Sequence, residues 1–379
     1  MAPNRGGIER VSFLLAREFL NRGHKVVALS FSDENKDDYE KLPNADYLYL
    51  KGEAKDKFTQ FNNIIKDKGI DIVINQSRSL ELRRLLKQSR PEGVKIISAF
   101  HNQPFSTYKK ERHIKRLLKP ATVRGYILKY LTILWPEIYR KERTKFDRDQ
   151  LQDLIDASHK VVFLSQRFLP RVKSFMPDVD DSKLCAINNP NTFEVKELNQ
   201  EKENIMLFVA RLEEPQKNIK GFIDVWNLFY RKHPDWRAII VGDGPDRKRM
   251  EKYAGRLAVK NLEFVGNQKD VAQYYSKAKI LGMTSLYEGW GMVLTEAMAY
   301  GCVPVLFNTY EACEDIVEEG KTGFIVEDID VKKMAEKCSR IAADESLRSE
   351  MSQQAKESIK KFNPDKIASQ WLELFSEVS

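Results

Sequence analysis

The chain has 379 residues, too many for one ordinary core and enough for two domains that each bury their own. Hydrophobic residues at 42% and charged residues at 31% give the composition of a soluble globular protein, which excludes disordered, fibrous and membrane-spanning classes. The net charge of +8 is concentrated: residues 104–145 hold twelve Lys or Arg against three Glu, a local balance of +9 that exceeds the whole-chain value. Such a segment attracts phosphates, whether on anionic lipid head groups or on nucleic acid. Cys185, Cys302, Cys313 and Cys338 form no C-x-x-C pair, which indicates neither a zinc site nor a disulfide framework. The first ten residues are polar and glycine-rich and lack the apolar centre of a secretory signal, so a reducing cytoplasm is expected.

In chain order, Gly6-Gly7-Ile8-Glu9-Arg10 leads into residues 11–20, apolar at three- and four-residue spacing and ended by Asn21-Arg22-Gly23. This reads as an amphipathic helix with a glycine stop. Residues 24–30 read as a buried strand. In a doubly wound fold a glycine loop follows a first strand, yet only five residues, Pro3 among them, precede Gly6. The first strand is therefore missing from the sequence, and the native start is expected upstream of Met1. Strands over 47–50, 70–75 and 94–100 alternate with helices over 57–66 and 80–88, a pattern that implies a parallel sheet with ligands beyond the carboxyl ends of its strands. His101 follows the third of these strands.

The basic segment breaks the rhythm. Tyr126, Ile127, Tyr130, Leu131 and Leu134 fall on one helical face beside Trp135, while Arg124, Lys129, Arg140 and Lys141 supply charge. The apolar run is shorter than the roughly twenty residues of a transmembrane helix, so it reads as an interfacial helix or the lip of an acceptor site, with packing in the first domain as the alternative. Strands over 160–165 and 184–188 resume the sheet, and a polar stretch near residues 198–203 marks the domain boundary. A second series opens with a strand over 205–210, followed by Arg211-Leu212 and Lys217-Asn218. A helix over 219–230 and a strand over 237–241 lead to Gly242-Asp243-Gly244-Pro245. Further strands over 262–265, 280–283, 303–307 and 323–326 flank a helix over 271–277, and the chain is mostly helical from Val331, closing over 364–375.

The most telling stretch is Ser285-Leu286-Tyr287-Glu288-Gly289-Trp290-Gly291-Met292-Val293-Leu294-Thr295-Glu296. Gly289 and Gly291 flank Trp290 just before a run of helix formers, so a loop opens directly into a helix whose first N–H groups face an anion. Glu288 precedes that helix and Glu296 lies more than one turn inside it, so the two reach different parts of one ligand. A carboxylate accepts two hydrogen bonds at once, which suits vicinal hydroxyls of a sugar or ribose.

With Gly6-Gly7-Ile8-Glu9-Arg10, His101-Asn102, Ala210-Arg211-Leu212, Lys217-Asn218, Gly242-Asp243-Gly244-Pro245 and Gly301-Cys302-Val303-Pro304-Val305, the sequence resembles the GT-B glycosyltransferases of family 4 over nearly its whole length. These are the retaining group marked by two glutamates separated by seven residues. The resemblance implies an α/β architecture of two Rossmann-like doubly wound parallel-sheet domains facing across a cleft. Residues 1–198 would form the acceptor-side domain with the basic insertion at 104–145, and residues 199–360 the nucleotide-sugar-binding domain. Residues 361–379 would be a helix packing back on the first domain. The missing first strand is the departure from the family pattern.

The implied activity is transfer of a sugar, with retention, from a UDP-, GDP- or ADP-linked donor to a saccharide or lipid-linked saccharide acceptor, in surface polysaccharide or glycoconjugate synthesis. No metal or other cofactor is implied. Carried over residue by residue, Arg211 and Lys217 match the phosphate-binding pair, and Gly289, Trp290, Gly291, Met292 and Val293 complete the backbone cradle. Glu296 matches the ribose-binding glutamate, Glu288 the one that addresses the donor sugar, and His101 the histidine that contacts that sugar from the other domain. Gly242 and Gly244 would let backbone approach the nucleotide, and Gly6 and Gly7 form the acceptor-side loop. A GT-B-like epimerase or phosphorylase would use the same cradle. A non-enzymatic module that binds an anionic membrane or nucleic acid would explain the basic segment but not the glutamates. A dinucleotide oxidoreductase would need Gly-x-Gly-x-x-Gly after a strand, which is absent. No nucleic-acid partner is expected, and the expected location is cytoplasmic, peripheral at the inner face of the membrane.

Overall fold

The computed structural model describes residues 6–31, 41–77, 79–89, 92–105, 136–194 and 201–379. The expected interfacial face at Tyr126, Ile127, Tyr130, Leu131 and Leu134, with Arg124, Lys129 and Trp135, lies outside these residues, as do the side chain of Arg140 and residues 198–200 of the boundary. Contacts divide the chain into two units. The first comprises the described parts of Met1–Pro104, Thr144–Thr192 and Phe362–Ser379, the second those of Phe105–Arg143 and Phe193–Lys361. Among the described residues no helix is long and apolar enough to cross a membrane.

The first unit begins with the helix Gly7–Asn21, which buries Val11, Phe13, Leu14, Leu15, Ala16 and Phe19 around most of its circumference. Gly23, in the left-handed region at φ +84°, turns the chain into the strand β1 (Val26–Ser30). There follow β2 (Ala45–Tyr49), the helix Ala54–Lys68, β3 (Ile72–Asn75), the helix Leu80–Ser89 and β4 (Lys95–Phe100). The helix Pro136–Asp156, β5 (Lys160–Phe163), the helix Leu169–Phe175 and β6 (Leu184–Ala186) complete the run. Among the described residues every strand pair of this unit is parallel, as expected where strands alternate with helices.

The strands lie in two pieces, β1-β2 and β3-β4-β5-β6. Among the described residues, no ladder reaches the side of β1 away from β2 or the side of β3 away from β4. Side chains join what the ladders do not: Leu29 of β1 and Val73 of β3 pack against one cluster that includes Leu50, Phe61, Ile65, Leu85, Leu86 and Ile96. The strands expected over 160–165 and 184–188 end at Phe163 and Ala186. After β5, Ser165 accepts from the Arg167 amide and caps a turn.

The helix Pro364–Val378 also belongs to the first unit, its start capped by Asn363, which accepts from the Asp365 amide. Phe375 lies 5.4 Å from Phe19, ring to ring, and Arg22 Nη2 donates to Asp365 Oδ1 at 2.6 Å and to the Asp365 carbonyl at 2.7 Å.

The second unit is a single six-stranded parallel sheet of order β12-β11-β10-β7-β8-β9. Its strands are β7 (Glu203–Val209), β8 (Arg237–Val241), β9 (Leu262–Gly266), β10 (Ala278–Met283), β11 (Val303–Phe307) and β12 (Phe324–Val326). The helix Ile219–Tyr230 buries Ile219, Phe222, Ile223, Val225, Trp226 and Phe229 against this sheet, each apolar side chain contributing about 1.5–3 kcal/mol before its ordering cost is set against it. The helix Arg247–Arg256 was not expected from sequence; Arg247, Lys248, Arg249, Glu251, Lys252 and Arg256 are charged, and it buries only Met250 and Ala254. The chain moves outward from β7 to β8 and β9, then returns to place β10 on the opposite side of β7. The order reverses there, at the carboxyl ends of β7 and β10, the position where open parallel sheets gather their ligands.

Deleting residues 362–379 should uncover Phe19 and release Arg22. Hydrogen exchange read by mass spectrometry is expected to accelerate across Gly7–Asn21 while β7 to β11 keep their protection; equal loss in both units would contradict this packing.

Candidate active site

At the point of reversal the loop after β7 meets the loop after β10. Lys217 Nζ lies 2.5 Å from Glu288 Oε1, with side chains only 21% and 11% exposed. Backbone and side-chain bonds stitch the loops around this pair. The Leu286 amide donates to the Gln216 carbonyl at 2.7 Å, Asn218 Nδ2 to the Thr284 carbonyl at 3.1 Å, and Thr284 Oγ1 to the Asn218 carbonyl at 2.9 Å. Asn218 stands in the left-handed region at φ +48° and its side chain accepts from the Gly221 amide at 3.2 Å, capping the helix Ile219–Tyr230. An Asn just before an apolar helical run is a readable start signal. The partners Gln216, Thr284 and Thr309, whose Oγ1 donates to the Ser285 carbonyl at 2.7 Å, carry no such signal.

Arg211 does not join this pair. Its Nε lies 3.3 Å from Glu213 Oε2, and its side chain is 72% exposed. Gly242 and Gly244, expected to admit the nucleotide, show a close approach to the chain itself. A Cβ at Gly242 would fall 1.9 Å from the Ala210 carbonyl oxygen, and one at Gly244 would fall 2.4 Å from that of Leu212. The loops after β7 and β8 lie that close because the Ala210 amide donates to the Val241 carbonyl and the Leu212 amide to the Asp243 carbonyl.

Gly291 caps the helix Met292–Ala299 at φ +87°, and a Cβ there would fall 2.3 Å from Tyr310 Oη. Glycine is thus demanded twice, by backbone conformation and by space. Burial pushes the Tyr310 hydroxyl well above its usual range, with the nearby Cys313 and Glu288 adding to the effect, so it stays uncharged. Trp290 is buried and Glu288 precedes the helix, while Glu296 lies on its second turn at 5% exposure and accepts from Tyr275 Oη at 2.9 Å. The structure therefore unites Lys217 and Glu288, puts Gly289 through Val293 and Glu296 on the adjoining turn and helix, and adds Tyr275 and Tyr310, which the sequence reading passed over.

In the first unit, Gly6 is the extended residue before the helix Gly7–Asn21, and Gly7 its first residue. His101 directly follows β4, as the strand-end position predicted. It is buried, its Nε2 lies 2.5 Å from Gln76 Oε1, and its Nδ1 has no hydrogen-bond partner among the described residues. Burial lowers its pKa from 6.5 to about 4, so the ring is neutral at pH 7. An amide oxygen can only accept, so the proton sits on Nε2.

Between pH 6.5 and about 4 the unfolded chain takes up a proton that the folded His101 refuses. The stability from this residue is complete above that window and is lost as pH falls through it, at roughly 1.4 kcal/mol per pH unit. Urea unfolding of the first unit should show that acid slope in the wild type and a slope shallower by that amount in His101→Gln; identical slopes would refute a neutral, buried imidazole.

Residues 5–190 match the family described as Glycosyltransferase Family 4, and residues 190–358 match Glycosyl transferases group 1. The chain is 27% identical over 246 residues to a Campylobacter jejuni enzyme, the GalNAc-alpha-(1->4)-GalNAc-alpha-(1->3)-diNAcBac-PP-undecaprenol alpha-1,4-N-acetyl-D-galactosaminyltransferase, covering 65% of each chain. It is 28% identical over 182 residues to the N-acetyl-alpha-D-glucosaminyl L-malate synthase of Bacillus anthracis, covering 47% of this chain and 46% of that one. The chain thus spans less than two thirds of these curated relatives. Its fold is similar to that of Anabaena HepE solved in complex with UDP, at a TM-score of 0.73 and 16% identity over 98% of this chain and 96% of that one. The lipopolysaccharide outer core galactosyltransferase WaaB is similar at a TM-score of 0.67 and 18% identity, covering 99% and 97%. With two family matches that run together from residue 5 to residue 358 and a fold shared with these enzymes, the chain belongs to the GT-B glycosyltransferases of the family 4 kind.

Proposed function

We propose that the protein transfers a sugar, with retention, from a nucleotide-sugar donor to a saccharide or lipid-linked saccharide acceptor, and that the second unit holds the donor. The observation that carries this reading is the Lys217–Glu288 pair at the reversal of strand order, beside a helix start whose N-cap must be glycine. HepE, similar in fold, was solved with UDP, and the Campylobacter relative is named for an undecaprenol-linked saccharide.

As the donor breaks, negative charge grows on its diphosphate, and fixed donors aimed at that charge stabilise the transition state. Lys217 and the first amides of Met292–Ala299 supply such donors, with Arg211 able to turn inward from its exposed position. The proposed reaction therefore needs no metal. Without donor, the Lys217 charge is neutralised by Glu288; with donor, a phosphate competes for the ammonium and the Glu288 carboxylate turns to a sugar hydroxyl. The acceptor oxygen bonds to the anomeric carbon on the face that the phosphate leaves, and the departing phosphate oxygen takes the acceptor's proton. Glu296 accepts from the ribose hydroxyls. His101 contributes as a neutral imidazole, able to donate and accept but adding no positive charge. The surplus of positive charge over residues 104–145 suits peripheral attachment at an anionic inner membrane face, in the cytoplasm.

A thermal-shift screen against UDP-, GDP- and ADP-sugars should raise the melting temperature with one nucleotide class, because a ligand that binds only the folded state stabilises it by mass action. With that donor, Lys217→Ala and Glu288→Gln should each lower transfer by about a hundredfold or more while circular dichroism stays unchanged. Undiminished turnover in either variant would refute the assignment. Sugar released or epimerised equally well with no acceptor present would favour the phosphorylase or epimerase reading instead.

A further inference from the structure

We propose that Tyr275 is a positioning residue for nucleoside recognition, orienting the Glu296 carboxylate through its hydroxyl while Lys202 and Cys302 hold its own backbone in place. The proposal rests on the reading that Glu296 accepts from ribose hydroxyls.

Tyr275 lies in the short helix Ala272–Lys277 that leads into β10. It is fully buried, so it meets no ligand itself and acts only through what it holds. Its Oη lies 2.9 Å from Glu296 Oε2. A carboxylate has about four acceptor positions, and a donor fixed on one of them sets the plane in which the others point. A hydrogen bond to an ionised group is also stronger than one between neutral partners.

The hydroxyl is fixed because the residue is. The Tyr275 carbonyl accepts from Lys202 Nζ at 2.9 Å and from Cys302 Sγ at 3.1 Å. Lys202 Nζ also donates to the Ala278 carbonyl at 2.7 Å, and Cys302 Sγ, 3.1 Å from both carbonyls, shares its one hydrogen between them, so the end of the helix and the first residue of β10 are tied to one point. Lys202 is half-buried, and desolvation lowers its pKa, so its ammonium depends on such partners. The ring is clamped as well: Tyr300, just past the helix that carries Glu296, stacks on it at 6.1 Å, and Phe193 meets it edge-on at 6.2 Å. Sequence reading found no role for Lys202, Tyr275 or Cys302, and each now bears on the same carboxylate.

The test uses the full chain, with Kd measured by calorimetry for UDP, GDP and ADP, and for the 2′,3′-dideoxy form of whichever binds tightest. Tyr275→Phe keeps the ring and its packing. It should weaken the ribonucleotide by about tenfold, as expected when a hydrogen bond to a charged group is lost, and leave the dideoxy form unchanged. In a Glu296→Ala background the same substitution should have no effect, which separates positioning from general loosening. Equal weakening of both ligands, or of neither, would overturn the proposal. A wild type that binds ribo and dideoxy forms alike, or binds no nucleotide, would overturn the ribose reading and this inference with it. A wild type that prefers the ribo form while Tyr275→Phe behaves identically would overturn this inference alone.

Discussion

The second unit depends on one topological fact, the return of β10 to the side of β7 opposite β8. Parallel strands deliver all their carboxyl ends to one edge, and a reversal of order makes neighbours there of loops that lie far apart in sequence. Two residues 71 positions apart, Lys217 and Glu288, come within hydrogen-bond distance there. Neither would be stable alone at this depth, since a poorly solvated charge without a partner carries a large penalty. Bringing the loops together takes residues that tolerate crowding and unusual backbone: Gly242 and Gly244 against neighbouring carbonyls, Gly291 against Tyr310, and Asn218 in the left-handed region.

Much of this was legible in the sequence, and what was not has a physical reason. The helix Ile219–Tyr230 and the strands Arg237–Val241 and Val303–Phe307 follow from apolar periodicity and buried runs, because burial writes itself on local composition. The helix Arg247–Arg256 escapes that signal, since two buried side chains in ten residues do not make a stripe. The helix Pro136–Asp156 escapes it as well; Leu151, Leu154 and Ile155 are buried near its end, behind a charged run that reads as solvated. Glycines 242, 244 and 291 announced constraint without naming the neighbour, because the atom each must avoid lies far away in sequence. The pairing of Lys217 with Glu288 was invisible for the same reason, although each was singled out as a site residue.

The described residues also show how differently the fold treats its ionisable groups. His101 and Tyr310 are buried and uncharged, each kept so by desolvation. Lys202 is half-buried, with its ammonium among carbonyls that solvate it as water would. Glu345, near the surface, has its pKa drawn down to about 2, chiefly by its hydrogen bond to Arg348. Neutrality suits positions where shape and hydrogen-bond direction matter, and pairing suits those where charge itself is to be used.

The divided sheet of the first unit has a mechanical consequence. Within β1-β2 and within β3-β4-β5-β6, strands are bound by ladders that resist sliding, since a shift must break several backbone bonds together. Between the two pieces the described residues offer only side-chain packing, with Leu29 and Val73 on a shared cluster. Packing of that kind resists separation but yields to shear more gradually, because apolar contacts can be exchanged one for another. Among the described residues, what passes between β1 and β3 is therefore exchangeable apolar contact, where neighbouring strands elsewhere in the unit are held by backbone bonds.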